Sequence, residues 1–176
     1  MEITYVRATR DDVSDFFSFF KMSIRSLFPE YTVMTREYFI DKDYSESWAR
    51  KVVESKNKII FLAKAENKII GYLFVDKVYG GVGRVDWIAV APEYQKHGIA
   101  TELIHKWIDY CKENKAHALQ LWTTDKNVQF YTKLGFTCAG TFKKGWFGVD
   151  MFFMYQTLGE PNDQDYLKEY LANKKD

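Results

Sequence analysis

The stretch Ile88-Ala89-Val90-Ala91-Pro92-Glu93-Tyr94-Gln95-Lys96-His97-Gly98-Ile99-Ala100-Thr101 reads as a strand that stops at a proline and turns, through a loop holding one glycine, into a helix. Ile99, Leu103, Ile104, Trp107, Ile108 and Cys111 recur at helical spacing, so an amphipathic helix is predicted over residues 98–111. Free amides at a helix N-terminus, with the positive end of its dipole, make such a loop a ready anion site. Gly98 allows close approach of the backbone, the small Ala100 does not obstruct it, and Lys96 and His97 add positive charge at the rim. An ordinary strand-to-helix turn is the other reading of these residues. The G-x-x-x-x-G-K-[ST] and G-x-G-x-x-G phosphate loops are both absent, so a bound anion would rest mostly on backbone amides.

Around this stretch the signals alternate between strand and helix. Ile3-Thr4-Tyr5-Val6-Arg7 alternates like a strand, and Thr9-Arg10-Asp11-Asp12 is a capping-box variant that opens a helix over residues 10–27. Phe28-Pro29-Glu30-Tyr31 breaks it, and a second helix is expected from Thr35 to about Glu54. Apolar runs at residues 59–63 and 69–75 flank Glu66-Asn67-Lys68 and read as a hairpin. Gly80-Gly81-Val82-Gly83 then leads into a strand over residues 84–90. A strand at 118–122, a short helix at 127–134 stopped by Gly135, and strands at 136–142 and 149–158 complete the series. Past Gly159-Glu160-Pro161, Tyr166, Leu167, Tyr170 and Leu171 form a small amphipathic face. The pattern predicts one mixed α/β domain over residues 1–158 with a helical appendage at 159–176.

Composition narrows the function classes. With 25 Lys plus Arg against 24 Asp plus Glu, the net charge of +1 gives no global basic field, so no nucleic-acid partner is expected. The charged N-terminus lacks the apolar segment of a signal peptide and no run reaches bilayer length, so a cytoplasmic protein with no membrane partner is expected. Cys111 and Cys138 have no redox or metal spacing, and His97, His105 and His117 offer no ligand pair, so no metal is expected. Twelve Tyr, 14 Phe and 5 Trp supply more ring surface than a plain core needs.

Gln95-x-x-Gly98-x-Ala100, after a strand closing in Ile-Ala-Val-x-Pro, resembles the acetyl-CoA diphosphate loop of the GCN5-related N-acetyltransferases. Asn127-Val128-Gln129-Phe130-Tyr131-Thr132-Lys133-Leu134-Gly135-Phe136 resembles that family's N-x-x-F-Y-x-x-L-G-F signature. The resemblance covers about residues 2–157. It implies a mixed, splayed sheet of six to seven strands with helices on both faces, and acetyl-CoA as co-substrate. Ile88, Ala89 and Val90 would pair with the pantetheine arm, and Gln95, Lys96, His97, Gly98, Ile99, Ala100 and Thr101 would surround the diphosphate. A neutral amine would attack the thioester directly, and a backbone amide near Ile88 would stabilise the oxyanion.

Tyr131 stands where the family commonly carries the acid that protonates the leaving thiolate. A phenol near 10 against a thiol near 8.5 leaves that transfer uphill by about 2 kcal/mol. Tyr131 as a core aromatic beside Phe130 is the competing reading. Asn127 is either a helix N-cap or a hydrogen-bond partner of the cofactor, with Thr124 as its rival for that contact. Asp86 is the first candidate for a general base, or else a structural partner of Arg84; loss of the proton to bulk water is also open. By the same resemblance the acceptor would enter between Leu27-Phe28-Pro29-Glu30-Tyr31 and the loop at residues 143–150. Phe28, Tyr31, Trp146 and Phe147 are therefore candidate substrate contacts, unless those rings merely close a core edge. The expected function is transfer of an acetyl group to a primary amine of a small molecule or protein, with a non-catalytic acyl-CoA sensor as the alternative; the C-terminal helix either packs on its own domain or, as in the homodimers the resemblance implies, covers a partner subunit.

Overall fold

The computed structural model describes residues 2–55 and 58–173 and is built on a seven-stranded sheet. The strands are β1 (Ile3–Arg7), β2 (Lys58–Ala65), β3 (Lys68–Asp76), β4 (Val82–Val90), β5 (Ala118–Thr123), β6 (Thr137–Phe142) and β7 (Met151–Thr157), in the order β1-β2-β3-β4-β5-β7-β6. All neighbours are antiparallel except β4 and β5. The helices are α1 (Val13–Leu27), α2 (Val33–Tyr38), α3 (Glu46–Ser55), α4 (Ile99–Glu113), α5 (Asp125–Lys133), α6 (Asp163–Tyr166) and α7 (Lys168–Asn173). This is the mixed α/β class that the sequence predicts.

Strands β2 and β3 are nearly continuous apolar runs because both faces of the sheet are covered. Ile60, Leu62, Ile69, Tyr72 and Phe74 pack with Val13, Phe16, Phe20 and Ile24 of α1 and Ala49 of α3. Phe61, Ala63, Ile70, Leu73 and Val75 pack with Ile99, Leu103, Ile104 and Trp107 of α4. The β2–β3 turn pairs Ala65 with Lys68, leaving Glu66 (φ 49°) and Asn67 (φ 65°) as a two-residue loop whose left-handed pair suits the strand twist. On the α1 side, the Ser23 hydroxyl donates to the Phe20 carbonyl at 2.8 Å, so the buried Tyr72 hydroxyl donates to Ser23 Oγ at 2.9 Å.

The single helix expected from Thr35 to Glu54 is three pieces. Between α2 and α3, Phe39–Asp43 widens into a π turn, closed by the Tyr44 amide on the Phe39 carbonyl at 2.8 Å. The inward rings Phe39 and Tyr44 lie five residues apart, and a wider turn aligns such a pair where an α-turn would not. Ser45 then starts α3, its hydroxyl accepting from the Trp48 amide at 3.2 Å. The short helix expected from Asn127 begins earlier, with Thr124 at the cap position, so the N-cap reading of Asn127 is corrected: it lies in the first turn.

The tail is joined to the domain where it leaves β7. The Leu158 and Gly159 amides donate to the His117 carbonyl at 2.7 and 3.3 Å, and the Tyr166 ring lies 5.8 Å from that of His117. The side chain of Tyr170 lies outside the described residues.

Phe20 is fully buried, with its ring 5.3–6.5 Å from those of Phe16, Tyr44, Trp48, Tyr72 and Trp87. Urea denaturation of Phe20→Ala is therefore expected to show a loss of about 3–5 kcal/mol. Val33→Ala, at a side chain 67% exposed, should stay within about 0.5 kcal/mol of the parent.

Candidate active site

Strands β4 and β5 pair only where Val82, Gly83 and Arg84 face Ala118, Leu119 and Gln120. Beyond Arg84 the strands part, and the remainder of β4 runs beside β3 alone. Two clefts flank this opening. One, of about 860 Å³, is lined by Ile88, Ala89 and Val90 of β4, by Gln95, Lys96, Gly98, Ile99, Ala100 and Thr101 of the loop and α4, and by Asn127 and Tyr131 of α5. The other, of about 520 Å³, contains all four candidate acceptor contacts, Phe28, Tyr31, Trp146 and Phe147. Phe28, Ile88, Asn127 and Tyr131 line both, so the clefts meet at these side chains.

Helix α4 starts from Gly98 in a left-handed conformation (φ 80°), with no side chain capping its first amides. A Cβ at Gly98 would meet nothing within 4 Å, so it is the backbone angle that favours glycine there. Lys96 is also left-handed (φ 64°), which curls the loop over the helix end. Gln95 spends its side-chain amide on this loop, donating from Nε2 to the Val90 carbonyl at 3.0 Å and tying the loop to the end of β4. His97 donates from Nδ1 to the Gln95 carbonyl at 2.8 Å and is not among the lining residues.

Tyr131 is held by the end of its own helix. The Gly135 amide donates to the Thr132 carbonyl (3.0 Å) and the Phe136 amide to the Tyr131 carbonyl (3.1 Å), the paired bonds of a Schellman turn, with Gly135 at φ 88°. Phe136 packs edge-on against Tyr131 at 5.9 Å, the hydrophobic contact that accompanies this turn. Tyr131 is 3% exposed, and burial raises its phenol above the ordinary tyrosine range. The core and cleft readings of Tyr131 thus hold together. Asn127 reaches both clefts, whereas Thr124 lines only the second, where its Oγ1 is buried without a hydrogen-bond partner.

Asp86 sits on a bulge: Phe74 faces Trp87 and Val75 faces Val85, leaving Asp86 between the two registers. Its Oδ2 accepts from Lys58 Nζ at 2.5 Å and its Oδ1 pairs with Arg84 at 3.1 Å. Both cations also pair with Asp76, at 2.6 Å each, closing a cluster of two acids and two bases. Burial opposes the charge on Lys58, but its hydrogen bonds to Asp76 and Asp86 outweigh this and raise its pKa. Asp86 is thus the ion-pair partner of Arg84, with both oxygens engaged.

The second cleft also holds ring and acid residues to which no sequence motif points: Phe39, Asp43, Tyr44, Trp87 and Trp122. Trp87 meets Phe28 edge-on at 4.9 Å and Phe39 at 5.6 Å, while Phe39 meets Phe147 at 4.7 Å. Of these, only the strand position of Trp87, directly before Ile88, offers a usable signal. Burial pushes the Tyr31 phenol up to about 12 and raises that of Tyr44, so both stay neutral near pH 7. Asp150, in contrast, turns outward to Lys143 Nζ and the Lys144 amide, each at 2.8 Å. Among the described residues no group of three or more His, Cys, Asp and Glu side chains could hold a metal ion, and no helix is long and apolar enough to cross a membrane.

A parted mixed sheet with an uncapped helix N-terminus at the opening is an acetyltransferase architecture. The solved PaiA N-acetyltransferase of Thermoplasma acidophilum, in complex with coenzyme A, superposes with a TM-score of 0.76 over 89% of this chain and 99% of that one, at 19% identity. The model of the Acetyltransferase (GNAT) family matches residues 22–136, and the chain belongs to that family. Streptothricin acetyltransferase A of Bacillus subtilis (strain 168) is 39% identical over 84 residues, 46% of this chain and 49% of that protein. An uncharacterized N-acetyltransferase of Methanocaldococcus jannaschii is 25% identical over 152 residues, 81% of this chain and 64% of that one. The chain thus spans about half to two-thirds of the length of these curated relatives.

Replacing Lys58 by Met leaves Asp76 and Asp86 sharing Arg84 alone, and should lower stability by about 1–3 kcal/mol near neutral pH. Because the folded pKa of Lys58 is raised, its contribution is complete below the unfolded value and fades as pH rises through the folded one. The gap between Lys58→Met and the parent in urea denaturation should therefore narrow at strongly alkaline pH.

Proposed function

We propose that the protein is an acetyl-CoA-dependent N-acetyltransferase that transfers an acetyl group directly to a primary amine of a small molecule or protein. The observation that carries this reading is the meeting of the two clefts at Phe28, Ile88, Asn127 and Tyr131. Acetyl-CoA supplies the acetyl group as a thioester, and the chemistry of the larger cleft suits it. The unpaired edge of β4 at Ile88, Ala89 and Val90 offers backbone groups to an amide-bearing pantetheine arm. Amides of Lys96 to Thr101, the helix dipole and the Lys96 ammonium suit a diphosphate. Gln95 keeps that loop in place, and Asn127 is the side chain that can reach an amide of the arm. A backbone N–H at Ile88 is the donor for negative charge developing on the carbonyl oxygen.

In this scheme Tyr131 holds the proton that the sulfur takes up. Its raised pKa keeps the phenol protonated at working pH and makes donation steeper than the roughly 2 kcal/mol of the unperturbed groups. Desolvation in the same cleft opposes that increase, because a buried thiolate also becomes more basic. Asp86, engaged by Lys58 and Arg84, acts as the anchor of the β4 bulge and as a wall of the acceptor cleft, and the attacking amine loses its proton to water. Cys111 and Cys138 are both free thiols, which suits a cytoplasmic setting.

Free-thiol release from acetyl-CoA with a panel of amines, streptothricin among them, tests the reading. Release with at least one amine is expected; acetyl-CoA binding with no release from any would favour a sensor. Tyr131→Phe should lower kcat about 100-fold while the acetyl-CoA Kd stays within about twofold. An unchanged kcat would remove Tyr131 from the acid role. Trp146→Ala should raise the acceptor KM about tenfold and leave acetyl-CoA affinity unchanged, as read by kinetics and calorimetry.

A further inference from the structure

We propose that the acceptor carries a second cationic nitrogen besides the amine that is acetylated, and that Asp43 holds this charge at the outer end of the ring-lined cleft. The inference rests on the acetyltransferase reading of the junction at Tyr131 and deepens it by naming the acceptor class.

The charges lining the cleft sort themselves by partner. Glu30 is paired with Lys126 at 2.9 Å, and Asp86 with Lys58 and Arg84. Arg84 is in turn shared between Asp76 and Asp86. That leaves Asp43, which no cation pairs with among the described residues. Among the described residues, the Tyr38 hydroxyl donates a hydrogen bond to it. The raised phenols of Tyr31 and Tyr44 keep those neighbours uncharged, so Asp43 is the cleft's one uncompensated charge among the described residues.

The two ends of the cleft therefore treat a nitrogen differently. Asp43 is exposed, and the Tyr38 that bonds to it stands 6.2 Å from Phe147 at the rim. There a carboxylate and ring faces both favour a charged ammonium or guanidinium. At the other end Tyr131 is 3% exposed, and burial penalises charge. A singly protonated diamine satisfies both, with its charged end outward and its neutral, nucleophilic end at the junction. A monoamine gains from the rim only when charged, which is the form that cannot attack.

The test compares α,ω-diaminoalkanes with n-alkylamines of equal chain length. For the parent protein, kcat/KM should favour the diamine about tenfold, through KM. Asp43→Asn should bring that preference to about parity, and Asp43→Glu, which keeps the carboxylate, should retain most of it. Calorimetric titration of both amine series into the CoA-saturated protein should give the same order without requiring turnover. CoA binding by each variant reports that it is folded. Equal binding of the two series by the parent, or an undiminished preference in Asp43→Asn, overturns the inference. Failure of every amine to release thiol would instead count against the acetyltransferase reading, with the titration still deciding the role of Asp43.

Discussion

Everything at the site depends on the early parting of β4 from β5. Two parallel strands normally satisfy each other's backbone groups along their length, but here they do so over only three residues. The parting leaves a strand edge with polar backbone exposed inside the protein, a costly arrangement unless something occupies the gap. The chain places α5 across the opening, and the Schellman turn at Gly135 fixes the angle at which Tyr131 reaches it. The bulge at Asp86 interrupts the β3–β4 register, and a four-member ion cluster ties it to β2 and β3.

Charge is managed locally throughout. A net charge of +1 provides no long-range steering, whereas the uncapped N-terminus of α4 concentrates positive backbone dipole at one place. In the smaller cleft, Glu30 and Asp86 are paired with cations, and burial raises the phenols of Tyr31 and Tyr44. The surplus of rings belongs to the same scheme. Phe20, Phe39, Tyr44 and Trp87 form a continuous set of ring contacts, most of them edge-to-face, that joins the α1 core to the smaller cleft. The same side chains therefore pack the core and shape the smaller cleft.

Much of the fold is legible in the sequence because the strong elements have a single period. The stripe of α4 and the apolar runs of β2 and β3 encode their own burial, and the hairpin read between those two runs is the β2–β3 pair. Between α1 and β2 the pattern predicts one helix where the protein has three pieces, because local periodicity cannot register a π turn. The inward rings there align only once the sheet supplies the surface they face. Asn127 looks like a possible cap for a similar reason: a cap is defined by where the chain leaves β5, not by residue type. That Asp86 and Arg84 share a strand face is visible in the alternation of β4. Lys58 and Asp76 come from strands β2 and β3, so no local pattern could add them.

The sequence by itself determined the strand–loop–helix unit at residues 88–101, the turn that positions Tyr131, and through them the family. These are short-range features, set by spacing, glycine placement and helix ends. Only the tertiary structure decided that Tyr131 stands where two clefts meet, that Asp86 is paired with two cations, and that Asp43 is paired with none among the described residues. Those properties depend on which distant side chains share a small volume, and electrostatic pairing and burial exist only once the chain has brought them together.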